Sequence, residues 1–355
     1  MLNRRELLVG GAGLGYAANA APSGTESPVL SAYYQRAHMY TIVPRHVRED
    51  LKWMAGIGTN FVCVAMLEQD LFAAVDNISL ISEEAAKAGL KVFAIPSRWG
   101  GLVAGSPKVP SLFSVTHPET WILKKDGKPH YWPSNSGVIS SVHHPATLEF
   151  FCDTVDELFK TFPAVAGIIW DEPKGFTPDY SKLAVEKLGP DPPDSAHWQA
   201  AADFYGKVTL HLKQAHPGKL ATMFMMGTDQ PGIAEIACRI QGLDYFGMDG
   251  RPWSNKEDIR GAGTVKEKNE SGRGKVLVDK GPRYIELAKK AGKKSVLLVE
   301  NHALRNDMIP VMDACLPQVF ALNPDQLIYY YYPRSVEDPE RSMAIVAKHM
   351  RRWRK

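Results

Sequence analysis

Cysteine is scarce in this chain of 355 residues: there are four, at positions 63, 152, 238 and 315, and no two have C-x-x-C spacing. That excludes a zinc ribbon and a thioredoxin-like redox motif, and leaves buried free thiols as the expectation. An excess of one charge is also lacking. With 42 Lys and Arg against 39 Asp and Glu, the formal net charge is +3, too balanced to argue for nucleic acid or an anionic membrane as partner. The cluster Arg351, Arg352, Arg354 and Lys355 reads as the solvated end of a last helix, favoured there by the helix dipole. No Gly-x-Gly-x-x-Gly follows the first strand, and there is no Walker loop and no His-Glu-x-x-His helix. No cofactor and no metal ligand set is therefore expected.

What is present begins with a targeting signal. Arg4 and Arg5 precede a short apolar, glycine-rich stretch and the small-x-small site Ala18-Asn19-Ala20. That stretch is too short to span a bilayer. Asn3-Arg4-Arg5-Glu6-Leu7-Leu8 resembles the twin-arginine export signal of bacteria. Residues 1–28 are accordingly expected to be an export signal and linker, and 29–355 a single catalytic domain. The mature protein would be periplasmic or secreted, with no membrane insertion once the signal is cleaved.

From residue 36 onward, β-branched and aromatic runs alternate with helical patterns, the signature of a parallel sheet with helices outside. Strands are expected at His38–Val43, Asn60–Ala65, Lys91–Ile95, Ala166–Trp170, Leu220–Met225, Tyr245–Met248, Ser295–Val299 and Gln326–Tyr332. Eight strands with about eight helices match a (β/α)8 TIM barrel. A doubly wound open sheet is the alternative, because periodicity does not show closure. Two connections are long: 97–145, rich in Trp and His, and 250–280, rich in Gly, Lys, Glu and Asn and expected to form a mobile cover.

If those strands are right, their ends converge on one rim, the face where such barrels keep their sites. The fourth ends in Trp170-Asp171-Glu172-Pro173, the sixth in Met248-Asp249-Gly250-Arg251 and the seventh in Glu300-Asn301-His302. Apolar strands that stop abruptly in carboxylates need a partner, a metal or a reaction for those charges. Glu172, Glu300, Asp171 and Asp249 are the candidate catalytic residues. His38, Arg98, Trp99, Trp132, His143, Asp229, Arg251, His302, Tyr330 and Tyr332 are the candidate substrate-binding residues, since flat rings can pack on an apolar ligand face and the arginines can pair with the carboxylates or with an anionic ligand.

The fourth-strand Glu followed by Pro, with a second Glu closing the seventh strand, resembles the clan of retaining glycoside hydrolases built on (β/α)8 barrels. The resemblance implies Glu172 as acid/base and Glu300 as nucleophile, with a carbohydrate as the partner. It departs in one place: Asp171 stands where the clan has Asn. A second barrel-glycosidase pattern, in which the fourth-strand Asp is itself catalytic, makes Asp171 the nucleophile and Asp249 the acid/base. A metal-dependent barrel hydrolase or isomerase and an exported, non-catalytic sugar-binding protein are the remaining readings.

Overall fold

In Val29-Leu30-Ser31-Ala32-Tyr33-Tyr34, successive side chains point to opposite faces. Leu30, Ala32 and Tyr34 pack outward under helices, while Tyr33 turns into a separate inner cluster with Phe61, Cys63, Phe93 and Ile328. The same alternation runs through every strand of a closed parallel barrel. The strands are β1 (Val29–Tyr34), β2 (Phe61–Met66), β3 (Lys91–Pro96), β4 (Val165–Asp171), β5 (Leu220–Met226), β6 (Tyr245–Gly250), β7 (Lys294–Val299) and β8 (Gln326–Tyr330). Each pairs with the next in sequence, and β8 closes on β1 through Val29 to Tyr33 against Gln326 to Tyr330. The computed structural model describes residues 28–34, 42–105, 109–132, 137–227, 230, 232–253 and 276–353. The export signal expected at 1–28, except residue 28, and most of the expected cover at 250–280 lie outside these residues.

The (β/α)8 expectation holds, and closure rules out the open sheet. Seven strands fall within two residues of their expected ends. The first does not: it is Val29–Tyr34, and not His38–Val43. Five of its six residues are buried between β8 and β2. Val43 instead leads into a helix that Pro44 opens at its first turn, where the missing N–H costs nothing.

A principal helix follows each strand: α1 (Pro44–Gly56), α2 (Val75–Lys87), α3 (Pro145–Thr161), α4 (Asp194–Ala215), α5 (Ile233–Ala237), α6 (Leu277–Lys290), α7 (Ile309–Ala321) and α8 (Pro339–Trp353). Their buried stripes follow the helical period; α1 buries Val47, Leu51 and Met54. Among the described residues no helix is long and apolar enough to cross a membrane. Inside the barrel, Gly247 allows β6 and β7 to close up, since a Cβ there would sit 1.6 Å from the Val296 carbonyl oxygen.

The described part of the connection 97–145 carries local structure of its own. It holds a short helix, Leu112–Thr116, capped by Ser111, and a hairpin pairing Tyr131–Trp132 with Gly137–Val138. Buried Glu68, just after β2, fastens it. Its Oε1 accepts from the Gly100 N–H (3.1 Å) and the Ser111 hydroxyl (2.6 Å), and its Oε2 from the Phe113 N–H (2.7 Å).

Candidate active site

Strand parity decides what reaches the barrel mouth. Ile169, Leu298 and Ile328 belong to the inner cluster, so Asp171, Glu300 and Tyr330, two residues further on, face inward at the C-terminal rim. Asp249 joins them from β6, two residues beyond inward-facing Gly247. Parity alone would turn Glu172 away from Asp171. Instead Glu172 takes a left-handed backbone, φ 38°, while its N–H still bonds the Phe224 carbonyl at 3.1 Å. That conformation is costly for a side chain with a Cβ and tends to occur where function requires it. Of the six non-glycine residues with positive φ among the described residues, five (Arg98, Glu172, Ala303, Tyr332 and Ser335) lie just beyond β3, β4, β7 and β8 on this one face.

The result is a convergence of acids. Glu172, Asp249 and Glu300 each place a carboxylate oxygen so that the three lie within 4.8 Å of one another. Cations lie beside them. Lys174 Nζ is 3.1 Å from Glu172 Oε2, and Arg251 Nε is 3.6 Å from Glu300 Oε2. Arg98 is buried, donates to the Gly105 carbonyl at 2.7 Å and faces the charges of Asp171 and Glu172. Burial pushes its guanidinium below the ordinary arginine value, and those two acids and Tyr33 pull it back.

Asp171 stands slightly apart from the trio. Its Oδ2 accepts from the Tyr33 hydroxyl at 3.3 Å. The Tyr33 ring lies 4.8 Å from that of Tyr330, whose phenol is pushed well above its ordinary value by burial and then by Tyr33, Asp171, Glu300 and Asp249. Tyr330 is therefore a neutral hydroxyl at the base of the mouth. The His302 ring meets Tyr330 edge-on at 5.4 Å. Buried Asn301 staples β7 to β8, its amide donating to the Tyr330 carbonyl and its Oδ1 accepting the Tyr330 N–H, both at 2.9 Å.

Other expected site residues sit elsewhere. Trp99 is fully buried, packs edge-on against Phe150 and Phe151, and donates its indole N–H to the Met66 carbonyl at 3.0 Å. It fills the core and presents no face to a ligand. His143 is buried in a small cavity lined also by Lys174, Asp179 and His197, and none of the three converging acids lines it. Tyr332 is on the rim, but its hydroxyl is bonded to Glu340 at 2.6 Å. His38 and Asp229 lie outside the described residues, as does the side chain of Trp132. Sequence reasoning missed Tyr33, Lys174 and Asn301. The alternation in Leu30-Ser31-Ala32-Tyr33-Tyr34 was the available signal for Tyr33.

No model of a known protein family matches the sequence, and no curated protein sequence does. Solved structures do match. The β-galactosidase of the Antarctic haloarchaeon Halorubrum lacusprofundi aligns at 14% identity with a TM-score of 0.66, over 92% of this chain and 58% of its own. The β-galactosidase of psychrophilic Marinomonas ef1 aligns at 13% identity and 0.62, over 90% and 59%. GH5_18 from Streptomyces cattleya, solved with GlcNAc, aligns at 14% and 0.57, over 93% and 81%. This chain thus spans less than two thirds of either β-galactosidase. What it shares with all three is the eight-stranded parallel barrel of these glycoside hydrolases.

Proposed function

We propose that the protein is a retaining glycoside hydrolase in which Glu172 is the acid/base and Glu300 the nucleophile. The observation that carries this reading is the approach of their carboxylate oxygens to within 4.8 Å. Retaining enzymes hold their two carboxyl groups about 5–5.5 Å apart, and inverting ones hold them further apart to admit a water. Glu172 gives its proton to the glycosidic oxygen as Glu300 attacks the anomeric carbon and the aglycone leaves. Glu172 then takes a proton from water, whose oxygen attacks that carbon and releases Glu300.

The surrounding charges suit these roles. Arg251 beside Glu300 favours an ionised nucleophile. Asp249, close to both glutamates, disfavours ionising all three acids together and so helps a proton stay in the site. Lys174 supports Glu172 in its ionised half of the cycle. Asp171, whose Oδ2 accepts from the Tyr33 hydroxyl, is assigned as an acceptor for a sugar hydroxyl in this reading, since Glu172, Asp249 and Glu300 are the acids that converge. Matching solved structures include β-galactosidases and an endo-β-1,4-mannanase, so β-galactosides and β-mannosides are the first substrates to test. Export by residues 1–28 would deliver the enzyme to the periplasm or beyond, where such substrates are met.

The same acid trio has spacing that a divalent cation would accept, which keeps the metal-dependent barrel enzyme as the second reading. The test is hydrolysis of an aryl-glycoside and oligosaccharide panel with and without EDTA. Metal-independent release of sugar, lost in Glu172→Ala and Glu300→Ala, supports the hydrolase. Loss on EDTA treatment, or no turnover of any glycoside, overturns it.

A further inference from the structure

Cations crowd the barrel mouth as closely as acids do. Asp171, Glu172, Asp249 and Glu300 stand at or just beyond the ends of β4, β6 and β7. Lys174 is paired with Glu172, and Arg251 with Glu300. Two further cations, Arg98 and Arg334, come from the loops after β3 and β8, and the charge of Arg334 acts against that of Arg98. Among these eight groups the signs balance only while all four acids are ionised. The first step of the proposed reaction needs a proton on one acid, which leaves the set with a surplus cation. Positive charge also develops on the sugar as the glycosidic bond breaks. A surplus cation opposes that step for a neutral sugar, whereas a negative group on the sugar restores the balance.

The two arginines are held in place by their backbones. Arg98 has φ 66°, its N–H bonds the Ala104 carbonyl at 3.0 Å, and its guanidinium donates to the Gly105 carbonyl at 2.7 Å. This loop is fastened to the acid-bearing one: the Ala104 N–H bonds the Asp171 carbonyl at 2.8 Å and the Lys174 N–H bonds the Leu102 carbonyl at 2.7 Å. Gly105 is required there, since a Cβ would lie 1.9 Å from Ser97 Oγ. Arg334 is exposed, and its carbonyl accepts from the Ala303 N–H at 3.1 Å, which ties it to the loop after Glu300. The acids of its own loop are engaged elsewhere. Glu337 Oε2 accepts from the Asn306 N–H (2.9 Å), Asp338 Oδ1 from the Arg341 N–H (3.0 Å) and Glu340 Oε2 from the Tyr332 hydroxyl (2.6 Å). Like charges held toward one another on fixed loops are costly unless an anion joins them, and the guanidinium fork is the side chain best shaped to bind one.

From this arrangement we propose that Arg98 and Arg334 form an anion site at the barrel mouth, and that the substrate is an acidic saccharide. The group they bind is the carboxylate of a hexuronic acid unit or a sulfate ester at the same end of the sugar. A site built to pair with an anion discriminates against the neutral analogue, because that analogue leaves its charges without a partner. The inference rests on the hydrolase reading for turnover, though not for binding of the anion.

The test is isothermal titration of the full-length Glu300→Ala variant with galacturonate and mannuronate oligosaccharides, their neutral galactose and mannose counterparts, a 6-sulfated galacto-oligosaccharide and inorganic sulfate. The acidic saccharides should bind at least about tenfold tighter than the neutral ones, the scale of one charge-assisted hydrogen bond. Adding Arg334→Gln should remove that preference and leave Tm unchanged. Arg98→Lys keeps a cation but loses the planar fork, and should reduce the preference. Arg351→Gln, in the last turn of α8, should keep it. Whichever of uronate and sulfated sugar binds tighter identifies the anionic group. Tight binding of acidic saccharides with no glycoside turned over by wild type sinks the hydrolase reading and leaves the anion site standing. Equal affinity for neutral and acidic saccharides, a preference that survives Arg334→Gln, or capture of inorganic sulfate alone overturns the inference, even where neutral glycosides are hydrolysed.

Discussion

The Tyr33 hydroxyl donates to Asp171 Oδ2 at 3.3 Å, linking the first strand to the fourth across the barrel mouth. A carboxylate only accepts, whereas the Asn that the resembling clan keeps at this position can also donate. Tyr33→Phe should lower kcat/KM about tenfold, the worth of one hydrogen bond to a charged group, and leave Tm nearly unchanged. The loss should be smaller on a 2-deoxy substrate than on its 2-hydroxy parent, because Tyr33 acts through the hydroxyl that Asp171 accepts. Equal losses on both would remove Tyr33 from that role.

Much of this site could be read from the chain because strand ends announce themselves. Trp170-Asp171-Glu172-Pro173 and Val299-Glu300-Asn301 are apolar runs that stop in acids, and the barrel brings those acids together. What could not be read is instructive. Trp99 follows a strand and is aromatic, yet the left-handed turn at Arg98 (φ 66°) accompanies its burial against Phe150 and Phe151. Backbone sign at one residue is invisible to periodicity. Glu172 shows the same limit in the favourable direction, since only its φ of 38° sets both adjacent acids to one side. Lys174 and Glu68 are polar residues in loops, and nothing in their spacing marks the partners that folding gives them.

Glu68 is a test of loop order. It satisfies two backbone N–H groups and the Ser111 hydroxyl with acceptors only. Burial pushes its carboxyl above the usual range. Glu68→Gln keeps the size but offers an amide donor where an acceptor is needed. It should cost about 2 kcal/mol, a drop of several degrees in Tm. Proteolysis within 97–121 should quicken. An unchanged Tm and cleavage pattern would show that the loop is held by other contacts.

His143 and His197 line one small cavity, and burial pushes both below the ordinary histidine range against the pull of Asp179. His197 Nδ1 accepts from the Asp179 N–H at 3.4 Å, which leaves its proton on Nε2. The fold therefore holds both rings neutral, while the unfolded chain protonates them near pH 6.5. Their contribution is full above that pH and is lost as pH falls through the lowered folded values. Tm should be level above about pH 7 and decline below about 6.5, and His197→Asn should make the decline shallower. A decline of the same slope in the variant would contradict this.

The most direct measurement of the central claim is azide rescue of two alanine variants, followed by NMR of the glycosyl azide formed. Glu300→Ala should lose at least three orders of magnitude in kcat and regain part of it with azide, giving a product of anomeric configuration opposite to the substrate. Glu172→Ala should also be rescued, but with retained configuration, because its nucleophile is intact. Rescue of Asp171→Ala or Asp249→Ala in place of these two, or retained configuration from Glu300→Ala, would contradict the assignment of Glu300 as nucleophile and Glu172 as acid/base.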